Sequence, residues 1–247
     1  MKVYTTINPN GNYDEQKFAM DSWTKKYPVY SINTPDEIEK IRPLYPEIIF
    51  LENNNIVTYG KKKLTSWNAV MDAISDSGGI SAFTNSDIIL KDGLKFEIDE
   101  VFFKNSIFIA TRWELKRRKK YPFPHGYDLV IMSPEKAKLF KNENWAIGLP
   151  WWDYWLPLSA FINGLNVYHI SEEIIYHKWH ETNYDKKIWQ DLSKKFYEEI
   201  LVKELEIEDL VSFEEYSKGV GLGTKHKIKN FIEENIIDFK QIKKLPI

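Results

Sequence analysis

Residues 78–90, Gly-Gly-Ile-Ser-Ala-Phe-Thr-Asn-Ser-Asp-Ile-Ile-Leu, constrain this chain more than any other stretch. Two glycines release the backbone from a preceding helix, and the short apolar run that follows predicts a buried strand. Asn85, Ser86 and Asp87 interrupt that run before it resumes as Ile88-Ile89-Leu90. Such small polar residues favour turns, because their side chains bond the nearby backbone, and a turn is the plainer meaning. A carboxylate at a strand tip, with an amide and a hydroxyl beside it, also offers the oxygen ligands that a hard cation takes.

Around this stretch strands and helices alternate. Residues 2–8 are rich in β-branched and aromatic side chains and run into Pro9-Asn10-Gly11-Asn12, which reads as a strand and a loop. A helix is expected over 16–26 and a second strand over 29–32. Another helix follows Thr34, with Pro35 in its first turn and Glu37 at capping-box spacing. Further strands are expected at 48–51, 106–110, 126–132, 166–170 and 174–176. Helices are expected at 64–77, 150–162 and 186–199, with a peripheral amphipathic one over 228–240. This order predicts an α/β fold, a mostly parallel sheet flanked by helices, with ligands gathering beyond the carboxyl ends of its strands. Thr5, Thr6 and Asn8, then Ser31 and Asn33, then Asn85, Ser86 and Asp87 all fall at such ends. Arg112, after the strand at 106–110, adds a guanidinium suited to phosphate, or to an ordinary surface ion pair.

Composition narrows the class. A chain of 247 residues is long enough for one large domain with an added lobe. A net charge of −2 gives no global case for nucleic acid, and the basic run 116–120 reads as a solvated loop. The absence of cysteine removes disulfide and thiolate chemistry and suits a reducing compartment. The start carries no apolar signal segment and no run approaches a membrane span, so a soluble, cytoplasmic protein is expected. Aromatics make up 15% of the chain, with nine tryptophans, which serve either a core or the wall of a ligand site. They concentrate at 145–157, where Pro150 suits a first helical position and puts Asp153 in the first turn. Gly219 to Thr224 reads as a flexible link, because it lacks the Gly-Lys-Ser/Thr ending of a phosphate loop.

The strand–helix N-terminal half, the Asn-Ser-Asp at a strand end and the later acid at an aromatic-rich helix start resemble GT-A glycosyltransferases. More particularly, they resemble small bacterial and viral members, including the chlorovirus multidomain type, over roughly residues 2–200. The resemblance implies a GT-A-like, Rossmann-type transferase domain over 1–200 and a helical C-terminal extension over 201–247. It implies a Mn²⁺ or Mg²⁺ ion at Asp87, with His177 and His180 as further candidates; a packed or solvent-facing histidine is the plainer role for each. The His180-Glu181 pair lacks the His-Glu-x-x-His spacing of zinc hydrolases.

A UDP-, GDP- or dTDP-sugar donor would be held by Thr5, Thr6, Asn8, Ser31, Asn33, Asn85, Ser86 and Arg112. A glycan acceptor would rest on Trp151, Trp152 and Tyr154. Asp153 would be the base of an inverting transfer, its pKa raised by apolar walls and lowered by the helix start; a plain helix-start carboxylate is the alternative. One departure matters: the first acid of the usual Asp-x-Asp motif is Asn85 here. One charge fewer implies looser metal binding, with the cation arriving together with the donor diphosphate. It also keeps open a noncatalytic carbohydrate-binding module with a degenerate metal site. A nucleotidyltransferase would carry a basic, glycine-rich loop after the first strand, and Asn8-Pro9-Asn10-Gly11-Asn12 is not basic.

Overall fold

The computed structural model describes residues 1–60, 62–117, 119–123, 125–180, 185–201 and 222–239; Glu181 and residues 219–221 of the expected link lie outside them. The expected α/β fold is formed. The main sheet has eight strands in the order β14 (Ile237–Phe239), β12 (Asn166–Ile170), β8 (Ser106–Ala110), β11 (Leu129–Met132), β6 (Ser81–Thr84), β1 (Lys2–Thr5), β2 (Val29–Asn33) and β3 (Ile49–Glu52). All neighbours run parallel except β11, which is antiparallel to both β6 and β8. A smaller sheet has the order β10 (Lys119–Pro122), β9 (Trp113–Lys116), β13 (Ile175–Lys178) and β7 (Ile88–Leu90). Of the basic run 116–120, Lys116 ends β9, Arg117 is exposed, and Lys119 and Lys120 open β10.

The helices start where side chains satisfy their first N–H groups. Asn12 accepts from Glu15 N at the head of α1 (Tyr13–Thr24), and the Thr34/Glu37 capping box opens α2 (Pro35–Ile41). The helix expected from Leu64 begins later, as α3 (Trp67–Ser75), because Ser66 caps it by accepting from Ala69 N. Leu64 belongs instead to a hairpin of β4 (Ile56–Tyr59) and β5 (Lys62–Thr65). A short α4 (Pro134–Ala137) precedes α5 (Trp152–Ile162), which keeps Pro157 within it.

Apolar residues form two clusters. One gathers Trp67, Phe83, Trp145, Trp152 and Trp155 with α3 and α5; the other gathers Trp23, Ile88, Phe108 and Ile175 with α1 and the smaller sheet. Trp67 anchors the first, stacking on Trp152 at 5.4 Å between ring centroids and donating Nε1–H to the Phe140 carbonyl at 2.7 Å.

The C-terminal region departs from the expected peripheral helix over 228–240. After α6 (Lys186–Leu201), α7 (Leu222–Asn235) ends five residues early, and the chain becomes β14, pairing in parallel with β12. Ile237-Asp238-Phe239 has a two-residue period, and Phe239 reaches Phe108 at 4.9 Å. Ile228 and Ile232 of α7 are buried in the first cluster. Ile232→Ala is therefore expected to cost about 2–5 kcal/mol by urea unfolding, as for other buried isoleucines; a loss below about 0.5 kcal/mol, the surface range, would show that α7 lies outside the core.

Candidate active site

The chain passes three times from the main sheet to the smaller one. The crossings run from β6 to β7 through Asn85-Ser86-Asp87, from β8 to β9 through Thr111-Arg112, and from β12 to β13 through residues 171–174. Charged side chains at or beside these crossings meet. Asp87 Oδ2 lies 3.4 Å from His177 Nε2, and His177 Nδ1 lies 3.0 Å from Glu114 Oε2. Arg112 Nε donates to Glu114 Oε1 at 2.9 Å, and its Nη1 donates to Asp128 Oδ1 at 2.8 Å. Asn85 Nδ2 donates to the same Asp128 oxygen at a long 3.4 Å. The connections thus start at Asp87 and return to Asn85, two residues away. Glu114, Asp128 and His177 are buried, while the Asp87 side chain remains 37% exposed.

Burial alone would strip the proton from His177, but the Asp87 and Glu114 carboxylates hold it, and its pKa stands at about 9. Burial works to raise Asp87 and Glu114; bonds from His177, helped by Arg112, overcome it and hold both below the usual carboxylate range. Asp128 goes the other way, pushed up by burial against Arg112, with the charge of Asp87 adding to the push.

Asp87, His177 and His180 each present a ligand atom, all within 4.8 Å of one another. The two imidazole rings stand 4.9 Å apart, with His180 exposed. These residues fit a divalent cation. A carboxylate and two imidazoles suit Mn²⁺ better than Mg²⁺, which favours all-oxygen shells, and Glu114 behind His177 would fix the ring as an outer carboxylate does at many metal sites. A cleft of about 230 Å³ opens beside them, lined by Asp14, Glu15, Phe18, Asp87, Ile89, His177 and Lys178.

The other expected site residues divide. Ser31 and Asn33 are buried and occupied: the Ser31 hydroxyl donates to Asn33 Oδ1 at 2.6 Å and accepts from Ile7 N, while Asn33 Nδ2 donates to the Ile7 carbonyl and to Glu37. They shape the loop after β1 and offer no free donor group. Ser86 is likewise occupied, donating to Gln16 Oε1 at 2.7 Å, and Gln16 holds the backbone of Asn8 at both its N–H and its carbonyl. Arg112 is spent on Glu114 and Asp128 and lies 3.9 Å over the Phe123 ring. Thr5 is fully buried, Thr6 half-buried and Asn8 exposed.

Trp151, Trp152 and Tyr154, expected as the acceptor wall, are all buried in the first cluster. Trp151 packs on Trp189 and Phe196, and Trp152 on Trp67 and Phe83. Trp151 enters α5 at φ 81°, a left-handed conformation costing about 1–2 kcal/mol.

Asp153 sits half-buried in the first turn of α5, as its spacing predicted. Its Oδ2 lies so close to Gly126 that a Cβ there would stand 2.0 Å away, and Gly126 also adopts φ +82°. Gly126 is two residues from Asp128, which puts Asp153 at the same end of β11 as the charged ring. Glu114 and Asp128 are the two members that sequence reasoning missed. The available signal was a single carboxylate flanked by Trp113 and Leu115, or by Tyr127 and Leu129, inside strand-like runs.

No family model and no curated protein matches the chain in sequence. Among solved structures it is similar to S. aureus TarS 1-349 in complex with UDP-GlcNAc, at 12% identity over 93% of this chain and 79% of that one, with a TM-score of 0.47. It is similar to the same protein in complex with UDP, at 11% identity over 96% and 83%, TM-score 0.48. It is also similar to a protein from Desulfovibrio desulfuricans G20 described as a nucleotide-diphospho-sugar transferase, at 12% identity over 96% and 100%, TM-score 0.41. At such scores these likenesses fix no activity for this chain, which must be argued from its own residues.

Two outcomes follow from the geometry. Because the folded pKa of His177 is raised, its stabilisation is complete below the ordinary value of 6.5 and is lost as pH climbs through about 9. Metal-free protein should lose on the order of 3 kcal/mol by this route; urea unfolding in EDTA at about pH 6 and about pH 9.5 measures it, and His177→Gln should flatten the difference. Gly126→Ala should cost at least about 1–2 kcal/mol from its positive φ alone and should displace Asp153; full wild-type stability would contradict the contact.

Proposed function

We propose that this chain is a metal-dependent glycosyltransferase, moving a sugar from a nucleotide-sugar donor to a glycan acceptor. The observation that carries the reading is the convergence of Asp87, just past β6 of the main sheet, with His177 of β13 and His180 just after it, beside an open cleft. In open α/β sheets ligands bind beyond the carboxyl ends of the strands. A divalent cation bound there would neutralise the charge that develops on a departing diphosphate. This chain's residues do the rest. His177 presents Nε2 once its proton is gone, with Glu114 accepting from Nδ1–H to fix the ring. Phe18, 65% exposed in the cleft, offers a sugar the aromatic face that the buried tryptophans do not.

Asp153 is the proposed base. As the acceptor oxygen bonds to the anomeric carbon and the bond to the diphosphate oxygen breaks, Asp153 takes the hydroxyl proton, with inversion. Its place against Gly126 at the ring's end of β11 supports that role. The likeness to the chlorovirus type and a cytoplasmic location are part of this proposal. Among the described residues no helix is long and apolar enough to cross a membrane. The 201–247 segment is proposed as an extension that completes the 1–200 domain, since β14 joins its sheet.

The test is thermal stability with UDP, GDP, CDP or dTDP, each with Mn²⁺, Mg²⁺ or EDTA, because a ligand that binds only the native state raises its melting point. Two imidazoles and a carboxylate also suit Zn²⁺ and Fe²⁺, so both ions are included. One nucleotide stabilising only with metal, and losing this in Asp87→Ala, supports the transferase. Silence to every nucleotide, with a response to glycans, favours a carbohydrate-binding module instead. Asp153→Asn should lower turnover by about 10²–10⁴-fold, the usual worth of a general base, with donor binding unchanged; normal turnover would remove Asp153 from the mechanism.

A further inference from the structure

The charged ring contains an oxygen that nothing in it uses. Asp128 Oδ1 accepts from Arg112 at 2.8 Å and from Asn85 at 3.4 Å. Asp128 Oδ2 is buried and has no hydrogen-bond partner among the described residues, and the whole residue is only 6% exposed. Leaving such an oxygen dry is costly, the more so for a charged group. Natural folds rarely carry that cost without a use. The same contact orients Asn85. With its NH₂ donated to Asp128, the amide's other end, Oδ1, is the one left for a cation, which takes oxygen and never an N–H.

We infer that Asn85 and Asp128 act as one unit at the metal centre: Asp128 holds the amide so that Asn85 Oδ1 serves the cation. The inference rests on the metal reading above. Asp128 lies outside the three side chains whose ligand atoms converge, so it is a positioning residue and not a ligand.

The test is Mn²⁺ binding alone, followed by electron paramagnetic resonance up to millimolar ion, with no turnover in the readout. Asp128→Asn is expected to weaken Mn²⁺ binding about tenfold or more, as loss of an outer-shell partner does, and Asn85→Ala by a similar factor. Exchanging the two groups, Asn85→Asp with Asp128→Asn, keeps a carboxylate and an amide across the same contact and should return affinity to within about threefold of wild type, a coupling that independent sites would not show. A merely structural role would not be rescued this way. Wild-type affinity in Asp128→Asn, or an exchange no tighter than Asp128→Asn, overturns the inference and leaves the metal centre standing. No Mn²⁺ binding by the wild type sinks the metal centre itself, and the inference with it. If Asp128→Asn does not fold by circular dichroism, Asn85→Ala at its half-buried position decides: unchanged affinity overturns the inference.

Discussion

The ion pair between Arg112 and Asp128, extended through Glu114 to His177 and Asp87, is the contact on which the arrangement of the two sheets depends. Arg112 and Asn85 leave the main sheet just after β8 and β6, and Asp128 enters it just before β11. Glu114, His177 and Asp87 belong to the smaller sheet or stand at its entry. Arg112 and Glu114 share the passage from β8 into β9, and Asp87, His177 and Asp128 join them from three other stretches of the chain. Burying these groups is costly, and a buried pair often contributes less stability than apolar residues of equal volume would. Removing one member strands the rest, at about 3–5 kcal/mol. Such a ring holds a geometry more than it adds stability, which fits a place where side chains must converge on a ligand.

The single antiparallel strand explains why these residues meet. In a wholly parallel sheet the residues before β11 would lie at the far end from Asn85 and Arg112. Because β11 runs against β6 and β8, its entry lies at their carboxyl ends. Gly126 and Asp128 therefore arrive at the rim where ligands bind, and Gly126 makes room for Asp153 at the head of α5. One reversed strand brings two further carboxylates to a site that already holds Asp87.

The α/β alternation was legible because most elements carry their own signals: the capping box at Thr34, the period of Trp67, Val70, Met71 and Ile74, and the double glycine before β6. Asp87 was legible as a carboxylate at a strand end, and His177 and His180 through the resemblance; the structure brings the three together. The rest depended on pairing, which a single sequence does not carry. Glu114 looks like any charge in a basic hairpin until β9 lies beside β13. Ser31 and Asn33 look like free polar tips until the backbone of Ile7 folds onto them. Tryptophans serve a core or a ligand wall with the same composition, and only the packing of Trp151 on Trp189 and Phe196 decides between these. The strand at 237–239 was hidden by its brevity; it is held by β12 more than by its own propensity.

The proton on His177 makes the metal-free state self-consistent. With it, Asp87 and Glu114 share one positive charge between them, and Arg112 serves Glu114 and Asp128. A cation at Asp87 and His177 would replace that proton at Nε2 and leave Nδ1–H on Glu114 undisturbed. Loading then requires one proton to leave and little rebuilding, because the outer carboxylates already hold their partners. Fixing the outer groups first and leaving one edge open, at Asp87 and the exposed His180, lets such a site form without its ligand yet respond to it. The dry oxygen of Asp128 is the part of the ring that this protonated arrangement leaves unmatched.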